Sequence, residues 1–191
     1  MRCRDDEKQQ NIKRAVIKLI LAEGFHGISI SKIAREAGVS PATVYVYYDS
    51  KEAMLRDIYR ECGEQIYSYI LARIDCDKGG ARLVESMVQA YYSYIAEYGE
   101  QFYFVEQFTS CPALVGKCSG LEGNFRIGCL FDELKQKRVI KDVNNHIIAA
   151  ILFNPVKSIA VQYNKQGAEA GTILAELIPI IQEALLVNNR R

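Results

Sequence analysis

The segment GISISKIAREAGVSPATVYVYYDSKEAM, Gly27 to Met54, carries a dense series of helix start and stop signals. Ser29 is an N-cap, its hydroxyl placed to accept from a free backbone N–H one turn in. Ile30, Ile33, Ala34 and Ala37 follow at helical spacing and define one apolar face. Gly38 is the residue that takes a left-handed conformation and ends that helix, and Val39 folds back as the hydrophobic contact of the cap. Ser40 is the next N-cap. Pro41 stands at N1, where its missing N–H costs nothing. Val44 and Tyr48, four apart, face the core. Ala42, Thr43, Val46 and Tyr47 are left outward, with Tyr45 at the edge. Asp49 or Ser50 caps a third helix, with Lys51 in its first turn. Two short helices joined by a tight glycine turn make a helix-turn-helix, whose second helix enters the DNA major groove.

The residues around this segment extend the pattern. LILAEGFHGISISKIAREAGVS and TVYVYYDSKEAM together resemble the DNA-binding domain of the TetR family, the tetracycline-repressor-like transcriptional regulators. That family shows a helix ending in E-x-G, a Ser or Thr before the second helix, I-A-x-x-A-G-V-S, and then T-[LV]-Y-x-[HY]-[FY]-x-S-K-E. Two positions depart from it: Pro41-Ala42 replaces the frequent Lys/Arg-Gly or Pro-Gly pair, and Tyr48 replaces the usual Phe. The first alters the base-reading edge, and the second adds a hydroxyl at a packing position.

The resemblance implies a DNA-contacting set of Ser29, Ser40, Pro41, Ala42, Thr43, Tyr45, Tyr47 and Lys51. Ser29, Thr43, Tyr45, Tyr47 and Lys51 would hold phosphates, and Tyr45 and Tyr47 could also reach base edges. Pro41 and Ala42 sit at the tip, where small apolar groups can touch a thymine methyl. Lys51 is unfavourable for the macrodipole of its own helix, an objection that a bound phosphate removes.

Composition fits an all-α protein of about nine helices, the number the resemblance implies. The chain has 191 residues, 49% of them apolar, with only 4 prolines. That length suits a head at residues 7–67, with the helix-turn-helix proper at about 30–49, on a larger helical body at 68–191. Net charge is +1, unevenly spread: residues 1–60 carry 11 Lys and Arg against 8 Asp and Glu, the remainder 13 against 15. A weakly basic head suits phosphate contact at one end.

The pattern predicts helices at about 6–23, 50–74, 83–98, 101–109, 121–137, 144–166 and 168–188, besides the two of the motif. Pro155 and Pro179 fall inside the last two and predict kinks. Those helices carry broad apolar faces: Ile147, Ile148, Ile151, Leu152, Val156, Ile159 and Ala160, then Ile173, Leu174, Leu177, Ile178, Ile181 and Leu185. Each face exceeds the stripe that packs one neighbour, and four such helices across a two-fold axis bury the excess. A homodimer through the last two helices is expected, and the resemblance implies the same pair.

The aromatic-rich middle is the expected effector site: Tyr91, Tyr94, Tyr98, Phe104, Phe108, Phe125 and Phe153, with Glu106 and Gln107 as orienting polar groups. Plain core is the competing reading of that stripe. The resemblance implies an effector cavity in the body, and these walls suit a small, largely apolar or aromatic molecule.

No cofactor, metal or catalytic group is expected. His26 and His146 are the only histidines and stand far apart. No phosphate-binding glycine loop or nucleophile elbow appears. Cys111 and Cys118, in a loop with Pro and Gly, are read as incidental thiols rather than a redox pair. The small basic cluster at 135–138 complements a helix end. MRCRDDEKQQ has no apolar run after it, and no stretch reaches membrane-span length, so a bacterial-type cytosol is expected.

The expected function is a dimeric repressor on a near-palindromic operator of double-stranded DNA, released when an effector moves the fourth helix and spreads the two heads. The alternatives are an activator or DNA binder without an effector and, from another class, a helical small-molecule-binding protein or enzyme.

Overall fold

The computed structural model describes residues 2–75, 79–111, 121–163 and 167–187. Among the described residues the chain forms nine α-helices: α1 Arg2–Glu23, α2 Ile30–Glu36, α3 Pro41–Tyr47, α4 Lys51–Leu71, α5 Gly80–Glu97, α6 Gly99–Thr109, α7 Glu122–Gln136, α8 Asn145–Tyr163 and α9 Gly167–Leu185. The all-α class expected from the sequence is what the chain adopts, and the helix ends fall within a few residues of the signals that announced them. Pro155 and Pro179 do lie inside α8 and α9. The chain divides into two compact units, 1–63 with 100–119, and 64–99 with 120–191. The first boundary falls inside α4, between Gly63 and Glu64.

Unit 1 is built around α1, which buries Ile12, Val16, Ile17 and Ile20. α2 packs on α1, and α3 packs on α2. Ile33 and Ala34 of α2, Val44 of α3 and Met54 and Ile58 of α4 complete this core, each no more than 1% exposed. Lys13 is nearly buried, and its ammonium meets the Glu61 carboxylate at 2.8 Å.

α6 belongs to this unit as well. Its Phe108 stacks on Tyr59 with ring centroids 4.3 Å apart and meets Phe25 edge-on at 5.6 Å. Phe104 lies 6.5 Å from Phe25. Phe104 and Phe108 are fully buried. α6, expected in the body, is therefore grouped with residues 1–63, because its two phenylalanines pack on Phe25 and Tyr59.

In unit 2, α5 packs against α8 and α9, α8 against α9, and α7 against α8. α5 contributes Leu83, Val84, Met87, Val88 and Tyr94 to the core, α7 Ile127 and Phe131, α8 Ile148, Leu152 and Val156, and α9 Ile181 and Leu185. The end of α9 is tied down by the chain after α7. Lys141 donates its backbone N–H to the Leu185 carbonyl at 2.8 Å, and its ammonium to the carbonyls of Glu183 and Ala184 at 2.9 and 2.8 Å. A cation on the last carbonyls of a helix satisfies them and complements the macrodipole. Among the described residues no helix is long and apolar enough to cross a membrane.

Candidate nucleic-acid interface

The motif is held by its own capping atoms. Ser29 Oγ accepts from the Lys32 backbone N–H at 3.3 Å. At the other end of α2, Gly38 takes a φ of +68°, and Val39 N–H reaches back to the Ala34 carbonyl at 2.9 Å. That five-residue return bond needs the left-handed residue, which glycine adopts without a Cβ penalty. Ser40 Oγ then accepts from Thr43 N–H at 3.1 Å and shares a 2.9 Å hydrogen bond with Thr43 Oγ1. Ser50, rather than Asp49, caps α4, accepting from Ala53 N–H at 3.1 Å.

These caps fix which side chains of α3 are free. Val44 and Tyr48 turn inward at 0% and 7% exposure. Burial raises the Tyr48 phenol above its ordinary range, and a hydrogen bond with Gln9 opposes that rise. The hydroxyl that distinguishes this chain at a packing position thus finds a partner on α1. Ser29, Ser40, Pro41, Ala42, Tyr45 and Val46 are exposed, and Thr43 and Tyr47 half-buried. Tyr45 and Val46 are among the exposed large apolar side chains, at 55% and 77%.

Lys51 is half-buried, and its ammonium donates to the Ile28 carbonyl at 3.0 Å. It ties the start of α4 to the loop before α2, a role the sequence did not suggest. Lys32 is likewise engaged, by Glu23 at 2.6 Å and by the Gly27 carbonyl at 2.8 Å, and Lys18 pairs with Glu36 at 2.5 Å. The outer surface of α3 is therefore polar through hydroxyls and otherwise apolar, without a charge of its own.

The residues expected to line an effector site divide between the two units. Unit 2 brings together Tyr91 and Phe153, with centroids 4.8 Å apart, and Tyr94 and Tyr98, stacked at 5.2 Å. Tyr69 of α4 joins this group edge-on at 5.4 Å from Tyr94 and 5.9 Å from Tyr98. Its hydroxyl donates to Glu97 at 3.0 Å. Hydrogen bonds from Tyr98 and then Tyr69 hold the Glu97 carboxyl below its usual range. The Arg73 guanidinium lies 3.3 Å over the Tyr69 ring. Sequence reading missed Tyr69, Arg73 and Glu97, whose pairing depends on how α4 and α5 meet.

Phe104, Glu106, Gln107 and Phe108 lie in unit 1, where the two phenylalanines are core. Phe125, expected in a cavity wall, is 72% exposed. A separate groove of about 520 Å³ opens in unit 2 between α5 and α9, lined by Glu85, Gln89 and Tyr92 on one side and Leu174, Ile178 and Pro179 on the other. His26 and His146 are both exposed. Cys111 is a free, half-buried thiol; Cys118, its expected neighbour, lies outside the described residues.

A family profile described as bacterial regulatory proteins, tetR family, matches residues 12–58, the segment that these caps and contacts build. Over that segment the chain is similar to the TetR family. Among its relatives, the fatty acid metabolism regulator protein of Bacillus subtilis (strain 168) is 37% identical over 54 residues, 28% of this chain and 28% of that protein. The chain matches less than a third of the length of that curated relative.

Solved structures extend the likeness to the whole fold. A TetR family transcription regulator from Marinobacter aquaeolei VT8 superposes with a TM-score of 0.81 at 24% identity, covering 98% of this chain and 100% of that one. The transcriptional regulator FadR from Bacillus subtilis, in complex with stearoyl-CoA, gives 0.70 at 18% identity, covering 92% and 98%. At these identities the structural likeness concerns the TetR fold alone.

Proposed function

We propose that this protein is a dimeric transcriptional repressor that binds a near-palindromic operator through α3 and is released by a small, largely apolar effector. The observation that carries the proposal is the outer face of α3. It leaves Tyr45 and Val46 in solvent at 55% and 77% exposure, on a helix whose backbone is fixed at both ends by caps. Ser29, Ser40, Thr43, Tyr45, Tyr47 and Lys51 are the proposed phosphate and base-edge contacts. Lys51 acts partly by holding the α4 start in place.

Dimerisation through α8 and α9 is supported by apolar side chains that the single chain leaves uncovered. Ile147, Val161 and Ile180 are 51%, 54% and 65% exposed, and Ile151, Ile173, Leu177 and Ile178 are half-buried. A two-fold axis covers the same patch on both copies and sets two recognition helices ~34 Å apart, one helical turn of DNA.

The effector is proposed to bind in unit 2, against Tyr91, Tyr94, Tyr98 and Phe153. Stearoyl-CoA, held by the FadR neighbour, has a long apolar chain, which supports an effector of that character. Release requires the effector to bind the non-operator conformation more tightly, by the same factor that it lowers DNA affinity.

The test is selection of genomic fragments by the purified protein at one fixed salt concentration, since phosphate-driven affinity falls steeply with salt. Enrichment of a few two-fold-symmetric sites by wild type and not by Tyr45→Ala supports the reading. Equal recovery of random DNA by both proteins overturns it.

A further inference from the structure

Val46 is an aliphatic side chain of α3 whose placement local packing does not explain. It lies on the face opposite the fully buried Val44 and is 77% exposed. A β-branched residue is a mediocre helix former, so it adds nothing to a seven-residue helix by propensity. Ala42 lies one turn earlier and is also exposed.

The composition of the helix narrows what this face can recognise. PATVYVY contains no Arg, Lys, Asn, Gln, Asp or Glu. Those are the side chains that make the bidentate or charged bonds to guanine, adenine and cytosine edges in the major groove, which leaves the hydroxyls of Thr43, Tyr45 and Tyr47 as the polar groups of the helix. The lysines nearest the motif are turned to other work: Lys51 bonds the Ile28 carbonyl, and Lys32 bonds Glu23 and the Gly27 carbonyl. What remains on the exposed surface of α3 is methyl groups and hydroxyls. The one base feature in the major groove that an apolar side chain recognises is the 5-methyl of thymine.

We infer that Val46, with Ala42 beside it, is a specificity-determining residue that selects thymine in each operator half-site by packing on its 5-methyl group. The inference rests on the proposed DNA-binding function and deepens it, because it assigns the base and the atom that this face reads. Removing one methyl from such a contact forfeits the transfer of a single buried carbon, about fourfold in affinity. Two symmetric half-sites then give about fifteenfold.

The experiment uses the full chain and a duplex obtained by selection from random DNA. Each thymine is replaced in turn by deoxyuridine, which removes the methyl and leaves pairing and the O4 acceptor intact. Wild type is expected to lose about fourfold at one thymine per half-site and about fifteenfold when both are replaced. Val46→Ala is expected to bind the parent duplex more weakly and to distinguish thymine from deoxyuridine by less than twofold. Its fold is checked by an unchanged thermal melt, as expected for an exposed side chain.

Two results overturn the inference while leaving the proposed function standing: every deoxyuridine duplex bound within twofold of the parent, or the same methyl dependence in Val46→Ala as in wild type. Failure to select any duplex over random DNA takes down both, at a stage before the methyl is touched.

Discussion

Glu64 accepts a hydrogen bond from the backbone N–H of Gly123 at 2.8 Å, and its other carboxylate oxygen accepts from Glu122 N–H at 2.6 Å. A carboxylate on α4 thereby caps the N-terminus of α7, where two free donors and the positive end of the macrodipole favour an anion. Gly123 is what allows the approach. A Cβ there would sit 2.3 Å from Tyr67 Cβ, on the next turn of α4.

This clasp predicts two separate losses. Glu64→Ala removes charge-assisted caps and is expected to cost about 1–2 kcal/mol. Gly123→Ala forces the helices apart and is expected to cost about 1–3 kcal/mol. Urea unfolding of each variant measures both. A midpoint unchanged for Glu64→Ala would remove the cap from the account.

Two helices end in the same left-handed turn with different residues. Gly38 after α2 has φ +68° and Arg138 after α7 has φ +54°. Each is followed by a return bond of 2.9 Å, Val39 to Ala34 and Val139 to Leu134. Gly38→Ala is expected to destabilise by about 1 kcal/mol, since its Cβ meets open space and only backbone strain acts. Arg138→Gly is expected to stabilise by about 0.5–1 kcal/mol, the strain relieved less the added freedom of the unfolded chain. Opposite shifts in thermal midpoint check the pair; shifts of one sign contradict it.

Phe108 and Phe125 separate packing from exposure. Phe108 is fully buried against Tyr59, so Phe108→Ala is expected to cost about 3–5 kcal/mol. Phe125 is 72% exposed, and Phe125→Ala is expected to fall within about 0.5 kcal/mol of wild type. Denaturant melts measure both. A large loss at Phe125 would mean that something covers it in solution, which sedimentation would reveal.

The helix-turn-helix was legible because its determinants are local. Ser29, Gly38, Ser40 and Pro41 act on backbone groups within five residues, so type and order alone specify the turn. The all-helical class was legible for the same reason. Which unit a helix joins was not, because Phe104 and Phe108 give α6 an apolar face without saying that Phe25 and Tyr59 meet it. Glu64 was illegible too, since it caps a helix that starts 58 residues later. The exposure of Phe125 was illegible because an aromatic on a helix looks alike in sequence whether its face is covered or bare.

Burial pushes the Cys62 thiol from its ordinary value of 9.0 up to about 11. The sign follows from proton binding. Between those two values the unfolded thiol gives up its proton while the folded one keeps it. Stability is thus retained below pH 9 and falls as pH rises toward 11, by at most about 1.4 kcal/mol per unit from this group. The raised Tyr48 phenol acts in the same direction from its ordinary value of 10.0. The check is the difference between wild type and Cys62→Ala in unfolding free energy across this range. The variant is expected to lose less stability with rising pH; parallel curves contradict the assignment.

The central claim is that two α3 helices of one dimer meet successive major grooves. Methylation interference at guanine N7 on a selected duplex tests it most directly, because that atom lies in the major groove. The account predicts two patches of interference about one helical turn apart, on one face and related by two-fold symmetry, both lost with Tyr45→Ala. A single patch, or interference spread without symmetry and unchanged in Tyr45→Ala, would contradict it.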